Sequence, residues 1–324
     1  MRLFSRRLSK RQSSTVSLDT AKTFQRLDPS SSEAADRVER ARMMMASCAV
    51  CPRECGAARL EGEIGTCRAD AEVRVASWHL HHGEEPYISG TRGSGTIFLS
   101  GCSLRCQYCQ NHDISQSGDG QVMDTASLSS LMLELQGAGA HNINFVSPTH
   151  HGPQLLDAIL TARRDGLTVP IVWNTSGYER VELLRLLDGV VDIYLADMRY
   201  GADRNGWPLS KVRDYWTVNR KAIKEMYRQV GTLALDETGI AERGLVVRHL
   251  VLPNGLSGSQ TIFEFLAREI STDTVVNLMS QYYPAYHATD DPMLNRRLTR
   301  DEFEAAIDAA RAAGLTQYQV QEMI

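Results

Sequence analysis

The chain has 324 residues, 35 Lys and Arg against 39 Asp and Glu, a formal net charge of −4 and 43% hydrophobic residues. This is an ordinary globular composition, long enough for one large core and a small appendage. It gives no basic surface for nucleic acid, and no apolar run approaches the ~18 residues of a membrane-spanning helix.

Residues 1–40 read as a flexible arm. The first 18 positions carry Arg2, Arg6, Arg7, Lys10 and Arg11, with several serines and no acid before Asp19. Such a start suits a disordered cytosolic terminus; the alternative is a segment addressing an organellar matrix. It has no apolar core of a secretory signal.

Residues 41–95 read as a cysteine-rich metal-binding module containing Cys48, Cys51, Cys55 and Cys67. All seven cysteines lie between Cys48 and Cys109, in two tight groups. A secreted disulfide framework would be even in number and dispersed, so metal ligation in a reducing compartment such as the cytoplasm is expected. Four thiolates can close a zinc tetrahedron or hold a second iron–sulfur cluster; three ligands with one free thiol is the remaining option.

From residue 96 to 324 strand-like runs alternate with helix-period segments. The runs are 96–101, 142–147, 170–174, 191–197, 245–252 and 274–281, each rich in Ile, Val, Leu or aromatics and ended by a turn residue. Helices are expected near 125–137, 153–165, 178–188, 211–230, 259–270 and 299–313. Asp124 or Thr125 is placed to cap the first, and Thr299 with Glu302 makes a capping box for the last. Six βα units predict a partial (β/α)6 TIM-like barrel of parallel strands, with a flat doubly wound sheet as the alternative.

Directly after the first of these strands comes Cys102-Ser103-Leu104-Arg105-Cys106-Gln107-Tyr108-Cys109. Chemistry sits at the C-terminal ends of barrel strands. Three thiolates without a fourth suit a [4Fe–4S] cluster with one iron open to an outside ligand. Structural cysteines, or a zinc site completed by His112, are the plainer alternatives.

The C-x3-C-x2-C spacing, with Tyr108 before the last cysteine, resembles the signature of the radical S-adenosylmethionine (SAM) superfamily. Together with C-x2-C-P-x2-C from Cys48, Gly62–Cys67, Gly93–Phe98 and Cys102–Ile114, the chain is similar to uncharacterised iron–sulfur proteins related to pyruvate formate-lyase activating enzymes, as far as about Pro284. The resemblance implies a cluster at Cys102, Cys106 and Cys109 and SAM as cofactor. Reductive cleavage of SAM would then yield a 5′-deoxyadenosyl radical. It implies an electron donor such as flavodoxin or ferredoxin, and a protein substrate that would receive a glycyl radical. Radical modification of a small molecule or peptide is the alternative, and a redox or metal-binding module without SAM chemistry is the reading from another class.

By the same resemblance Tyr108 touches adenine. Ser147 and Thr149 stand where activating enzymes carry a Gly-Gly-Glu motif, with no carboxylate supplied. Asn174 and Ser176 end the third strand, Asp197 ends the fourth beside Arg199, and Arg248 within the fifth faces SAM. The bland readings are turn chemistry for the Asn-Thr-Ser-Gly run and a structural ion pair for Asp197 with Arg199. His150 and His151 are expected on a loop facing the substrate site, or else at a helix start.

Overall fold

The computed structural model describes residues 24–320. In chain order it begins with α1 (Ser32–Met43), β1 (Val73–His81), the short α2 (Pro86–Ser89), β2 (Ser94–Leu99) and α3 (His112–Ser115). Then follow β3 (Gln121–Met123), α4 (Thr125–Gly137), β4 (Ile143–Val146), α5 (Gly152–Arg164), β5 (Ile171–Thr175), α6 (Val181–Leu186) and β6 (Ile193–Asp197). The last third holds α7 (Gly206–Ser210), α8 (Tyr215–Val230), β7 (Ala234–Leu235), β8 (Ala241–Leu250), α9 (Ser259–Phe265), β9 (Val275–Met279), α10 (Arg300–Ala312) and β10 (Tyr318–Val320).

The strands lie in the order β10-β9-β8-β6-β5-β4-β2-β1-β3, with β7 paired to β8. Every pairing from β2 through β10 along this path is parallel. Strands β1 and β3 add an antiparallel edge. This is an open, mostly parallel sheet of the partial-barrel class, and all six predicted strands are in it. β10 is a further parallel strand that the six-unit pattern did not contain, because three residues carry no readable period.

Side chains alternate between the two sheet faces. Ile97, Ile143, Phe145, Ile171, Trp173, Tyr194, Leu245, Val247 and Val276 join the helix side in the main core. On the opposite, concave face Val172, Ile193, Leu195 and Val246 pack against Tyr87 and Ile88 of α2. The same parity puts Asn144, Asn174, Asp197, Arg248 and Asn277 on that face. A polar ring therefore crosses a sheet otherwise built from Val, Ile and Leu.

α4 starts at Thr125 with Asp124 Oδ1 accepting the Ser127 N–H, and α10 starts behind the Thr299–Glu302 capping box, as expected. The arm differs from expectation. Residues 32–40 belong to α1, capped by Ser31, whose Ala34 and Ala41 are buried in the main core. Leu27 N–H donates to Gly189 O at 2.9 Å, and Arg26 Nε pairs with the buried Asp192 at 2.8 Å. Small alanines give a weak apolar stripe, so this docking has little signal in the sequence. The basic stretch at 1–18 lies outside the described residues.

Candidate metal centre

The loop after β2 turns at Gly101, whose φ of +83° favours glycine. It is held from both sides. Cys102 N–H donates to Cys67 O at 3.3 Å, and Arg53 Nε donates to Ser103 O. Arg105 Nη2 reaches Thr66 O at 2.5 Å. From α7 the Ser210 and Leu209 carbonyls accept the Arg105 and Gln107 N–H groups at 3.1 and 2.9 Å. The cysteine-bearing N-terminal segment and α7 thus clamp the three-cysteine loop between them.

Each of the three sulfurs has a polar partner suited to a thiolate. Leu104 N–H points at Cys102 Sγ at 3.4 Å, and Ser115 Oγ lies 3.2 Å from Cys109 Sγ. Cys106 Sγ has Ser210 Oγ at 3.0 Å and Arg199 Nη1 at 3.3 Å. Burial, then the neighbouring Cys106 and Cys109, push the Cys102 thiol up to about 12. Burial also raises Cys106, against the pull of Arg199. As free thiols these groups keep their protons; ligation of a metal displaces them.

Among the described residues no three His, Cys, Asp or Glu side chains converge as the ligands of one ion would. A cubane asks for something else, since each thiolate binds its own iron. Three sulfurs on one loop, coupled to one another and stabilised by a guanidinium and N–H or O–H groups, fit a [4Fe–4S] cluster with one iron left open.

Arg199 joins this loop to the polar ring. Its Nη2 lies 2.6 Å from Asp197 Oδ2, while Asp197 Oδ1 accepts from Arg248 Nε at 3.1 Å. Arg248 Nη2 also donates to Asn174 Oδ1 at 2.5 Å. Asn174, Asp197 and Arg248, expected together from three separate strands, meet here. The ring is completed by a residue that the sequence reading missed. Glu84 accepts from Asn144 Nδ2 at 3.0 Å and Asn174 Nδ2 at 3.2 Å, and lies 3.5 Å from Arg248. It enters from the loop between β1 and α2. The only sequence signal was the adjacent pair Glu84-Glu85 ahead of Pro86.

The other expected positions divide. Tyr108 is buried, with its hydroxyl 2.6 Å from Tyr200 and its ring edge-on to Tyr282. Ser147 follows β4 with a φ of +60°, a left-handed conformation costly for serine, and its N–H donates to Asn174 O at 2.9 Å. Ser176 is buried, and its carbonyl accepts from Tyr215. Thr149 is not brought to the ring. Its hydroxyl donates to Glu179 Oε1 at 2.7 Å, in a buried knot that also takes Thr175 and Trp173.

His150 and His151 are buried at the start of α5 rather than on an open loop. Burial lowers His150 to about 4, and its Nε2 lies 2.7 Å from Ser100 O. Tyr282 is buried, its hydroxyl donating to Leu294 O.

Beside the loop, Cys48, Cys51 and Cys67 are buried and Cys55 is exposed. Burial, then the Cys67 and Cys48 charges among other causes, raise Cys51 to about 12. Burial also acts on Cys55, but the Ala57 and Thr66 N–H groups outweigh it and lower that thiol. Arg59, fully buried, donates to Asp70 O and His150 O and approaches Cys48 Sγ at 3.9 Å. No carboxylate pairs with Arg59 among the described residues, so a negatively charged thiolate set is its natural counter-charge.

Residues 96–323 match the family model of the radical SAM superfamily. The chain is 34% identical over 288 residues to the uncharacterized protein MJ0674 of Methanocaldococcus jannaschii, covering 86% of this chain and 78% of that one. A second protein of that organism, MJ0808, also uncharacterized, is 24% identical over 76% of this chain and 73% of its own. Among solved structures, the radical SAM methyltransferase TsrM of Kitasatospora setae aligns with a TM-score of 0.48 at 13% identity. SuiB of Streptococcus suis, bound to its precursor peptide, aligns with a TM-score of 0.46 at 11% identity. Each alignment covers 68% of this chain, and this chain spans about half of either structure, 52% and 46%. With its own three-cysteine loop at the mouth of a mostly parallel open sheet, the chain belongs to the radical SAM superfamily.

Proposed function

We propose that this protein cleaves SAM at the Cys102–Cys106–Cys109 loop and passes the radical to a small molecule or a peptide side chain seated on the concave face of the sheet. Membership of the superfamily brings a [4Fe–4S] cluster and SAM as cofactors. When bound and reduced, the cluster supplies the one electron that breaks a carbon–sulfur bond of SAM, giving methionine and a 5′-deoxyadenosyl radical that takes a hydrogen atom from the acceptor.

The observation that carries this reading is the contact chain Cys106–Arg199–Asp197–Arg248, which leads from a cluster ligand onto the concave face. In it Arg199 stabilises charge on Cys106, and Asp197 holds both guanidiniums in place. Asn174, Ser176 and Arg248 are the groups assigned to SAM, with Tyr108 against the adenine and the left-handed Ser147 admitting its backbone. Thr149 acts only as support, through Glu179. The activating-enzyme likeness would make a protein glycine the acceptor. A glycine offers no polar side chain, whereas Glu84 and Asn144, beside the groups assigned to SAM, line the face that would receive it, which favours a polar acceptor.

Cys48, Cys51, Cys55 and Cys67 are assigned an anionic four-thiolate iron–sulfur centre, each thiolate on its own iron, that holds the N-terminal segment against the loop and neutralises Arg59. A low-potential donor such as flavodoxin or ferredoxin supplies the electron. The exposed thiol Cys55 and the expected cluster call for a reducing compartment, the cytoplasm. No helix among the described residues is long and apolar enough to cross a membrane.

The test is anaerobic reconstitution with iron and sulfide, reduction with dithionite and measurement of 5′-deoxyadenosine for wild type, Cys102→Ala and Cys51→Ala. Wild type is expected to form it and Cys102→Ala to form none. Cys51→Ala is expected to lose metal from the second centre. An intact, reducible cluster that never cleaves SAM refutes the reading.

A further inference from the structure

The three-cysteine loop is flanked by positive charge that the chain does not answer. Arg105, between Cys102 and Cys106, donates from Nη2 to Thr66 O at 2.5 Å, two residues before Arg68. Arg53 donates to Ser103 O on the same loop. Burial, then the Arg68 and Arg53 charges, hold the Arg105 guanidinium below its usual value. On the α7 side the Arg105 N–H donates to Ser210 O at 3.1 Å, which brings Lys211 alongside. Arg213 follows, with its guanidinium 4.5 Å from the centre of the Trp207 ring. The Tyr178 hydroxyl, which donates to Asp214, also feels the Arg53 charge, so the two ends of this collar approach each other.

Among the described residues none of these five cations is ion-paired. The carboxylates next to them in the chain are engaged elsewhere, Glu54 with Arg180 at 3.3 Å and Asp214 with Tyr178 at 2.7 Å. The chain as a whole is negative, at −4, so this is a local concentration of the opposite sign. Two of the five also sit on costly backbone. Arg68 has a φ of +66° and Lys211 of +56°, and a left-handed residue other than glycine costs ~1–2 kcal/mol. Trp207 is 49% exposed on α7. Unpaired like charges, strained backbone and a bare indole all work against the folded chain, whereas Trp and Arg are the residues that dominate docking surfaces. The collar leads to a cluster ligand. Ser210 Oγ, beside Lys211, lies 3.0 Å from Cys106 Sγ, the sulfur that Arg199 meets from the polar ring.

We propose that Arg53, Arg68, Arg105, Lys211, Arg213 and Trp207 form the docking surface for an acidic one-electron carrier protein, of the flavin or iron–sulfur class, whose electron enters beside Cys106. The carrier is oxidised by one electron and the cluster held by the loop is reduced by one. That electron step rests on the function proposed above; the docking surface itself does not. A basic patch also attracts nucleic acid. Five cations gathered around one loop match the small, transient interface of a redox encounter better than a track along a phosphate backbone.

The full chain, reconstituted anaerobically, is titrated calorimetrically with four probes at low and high salt. These are an oxidised flavodoxin and a plant-type ferredoxin, both acidic, cytochrome c as a basic protein, and a single-stranded RNA. At least one acidic carrier is expected to bind roughly tenfold more tightly than cytochrome c or RNA, and to weaken as salt rises. Arg68→Glu and Arg213→Glu, at exposed positions, should each weaken that carrier about fivefold. Trp207→Ala should weaken it about tenfold. By EPR, Arg213→Glu and Trp207→Ala should slow reduction of the cluster by the photoreduced carrier and leave its reduction by dithionite unchanged. Equal binding of carrier and cytochrome c, preference for RNA, no binding of any probe, or indifference to salt or to the variants overturns the proposal. Carrier binding by a chain that never cleaves SAM would retire the radical reading and leave the docking surface standing; dithionite-driven SAM cleavage by a chain that binds neither carrier would do the reverse.

Discussion

Gly101→Ala tests how the cysteine loop is held. Gly101 has a φ of +83°, and a Cβ there would lie 2.5 Å from Cys67 O and 3.2 Å from His150 Nε2. The Cys67 carbonyl is not free to swing aside, because it accepts the Cys102 N–H. A left-handed alanine costs ~1–2 kcal/mol, and forcing a methyl against backbone adds ~1–3 kcal/mol. The sum is about 2–5 kcal/mol, worth roughly 3–8 °C in melting temperature at about 1.6 °C per kcal/mol for a chain of this length. Gly62 is the internal control, with a φ of +88° and nothing within 4 Å of its Cβ. Gly62→Ala should therefore lose only the backbone part, about 1–2 kcal/mol. Anaerobic circular-dichroism melts of wild type and both variants, with iron per chain after reconstitution, make the comparison. Gly101→Ala is expected to melt lowest and to hold less iron. If the two variants melt together and load equally, the packing of Cys67 on the loop does not govern the cluster site.

Three further outcomes follow from single contacts. Asp192 is buried and holds Arg163 Nη2 at 2.9 Å, Arg26 Nε at 2.8 Å and the Ile171 N–H at 2.8 Å. Asp192→Ala leaves Arg163 buried and unpaired and should cost ~3–5 kcal/mol, while Arg26→Ala, at a half-exposed partner, should cost ~0–1 kcal/mol; urea midpoints that moved equally would contradict this. His249 is lowered to about 4 by burial, its Nδ1 at 2.7 Å from Met198 O and its Nε2 at 2.9 Å from Ser259 Oγ. The unfolded chain takes up this proton near pH 6.5 and the folded chain only near 4, so the stability is full above pH 6.5 and declines by roughly 3 kcal/mol toward pH 4; His249→Gln should flatten that slope in urea midpoints across the range. Arg199→Met removes the cation at Cys106 Sγ, which helps hold the extra negative charge of a reduced cluster, so the midpoint potential read by EPR redox titration should become more negative.

The three-cysteine loop was legible because its spacing is local: Cys102, Cys106 and Cys109 need only one short turn to share a cluster. The strands and the α4 and α10 caps were legible for the same reason, since period-two apolar runs and an Asp, or a Thr with Glu three residues on, act within a few residues of themselves. Asn174, Asp197 and Arg248 were found as strand-end or strand polar residues, although nothing local says that they bond to one another. That followed from parallel register, which sets Asp197 opposite Arg248 and Arg248 opposite Asn277.

Other features arise only when distant segments meet. Alanine-lined α1 gains its core face by docking on the barrel, and β10 exists because β9 offers an edge. Thr149, next to the site in sequence, turns away because Glu179 thirty residues on needs hydroxyl donors inside the core. Glu84 and Glu85 stand out in the sequence only as an adjacent acidic pair, and the packing of Tyr87 and Ile88 is what carries them onto the concave face. The sequence by itself carried the three-cysteine loop and so the superfamily, because cysteine spacing is a short-range property. Tertiary structure alone decided what lines the concave face, because Glu84, Asn144, Asn174 and Arg248 come from the β1–α2 loop, β4, β5 and β8 and meet only when the sheet and α2 pack together.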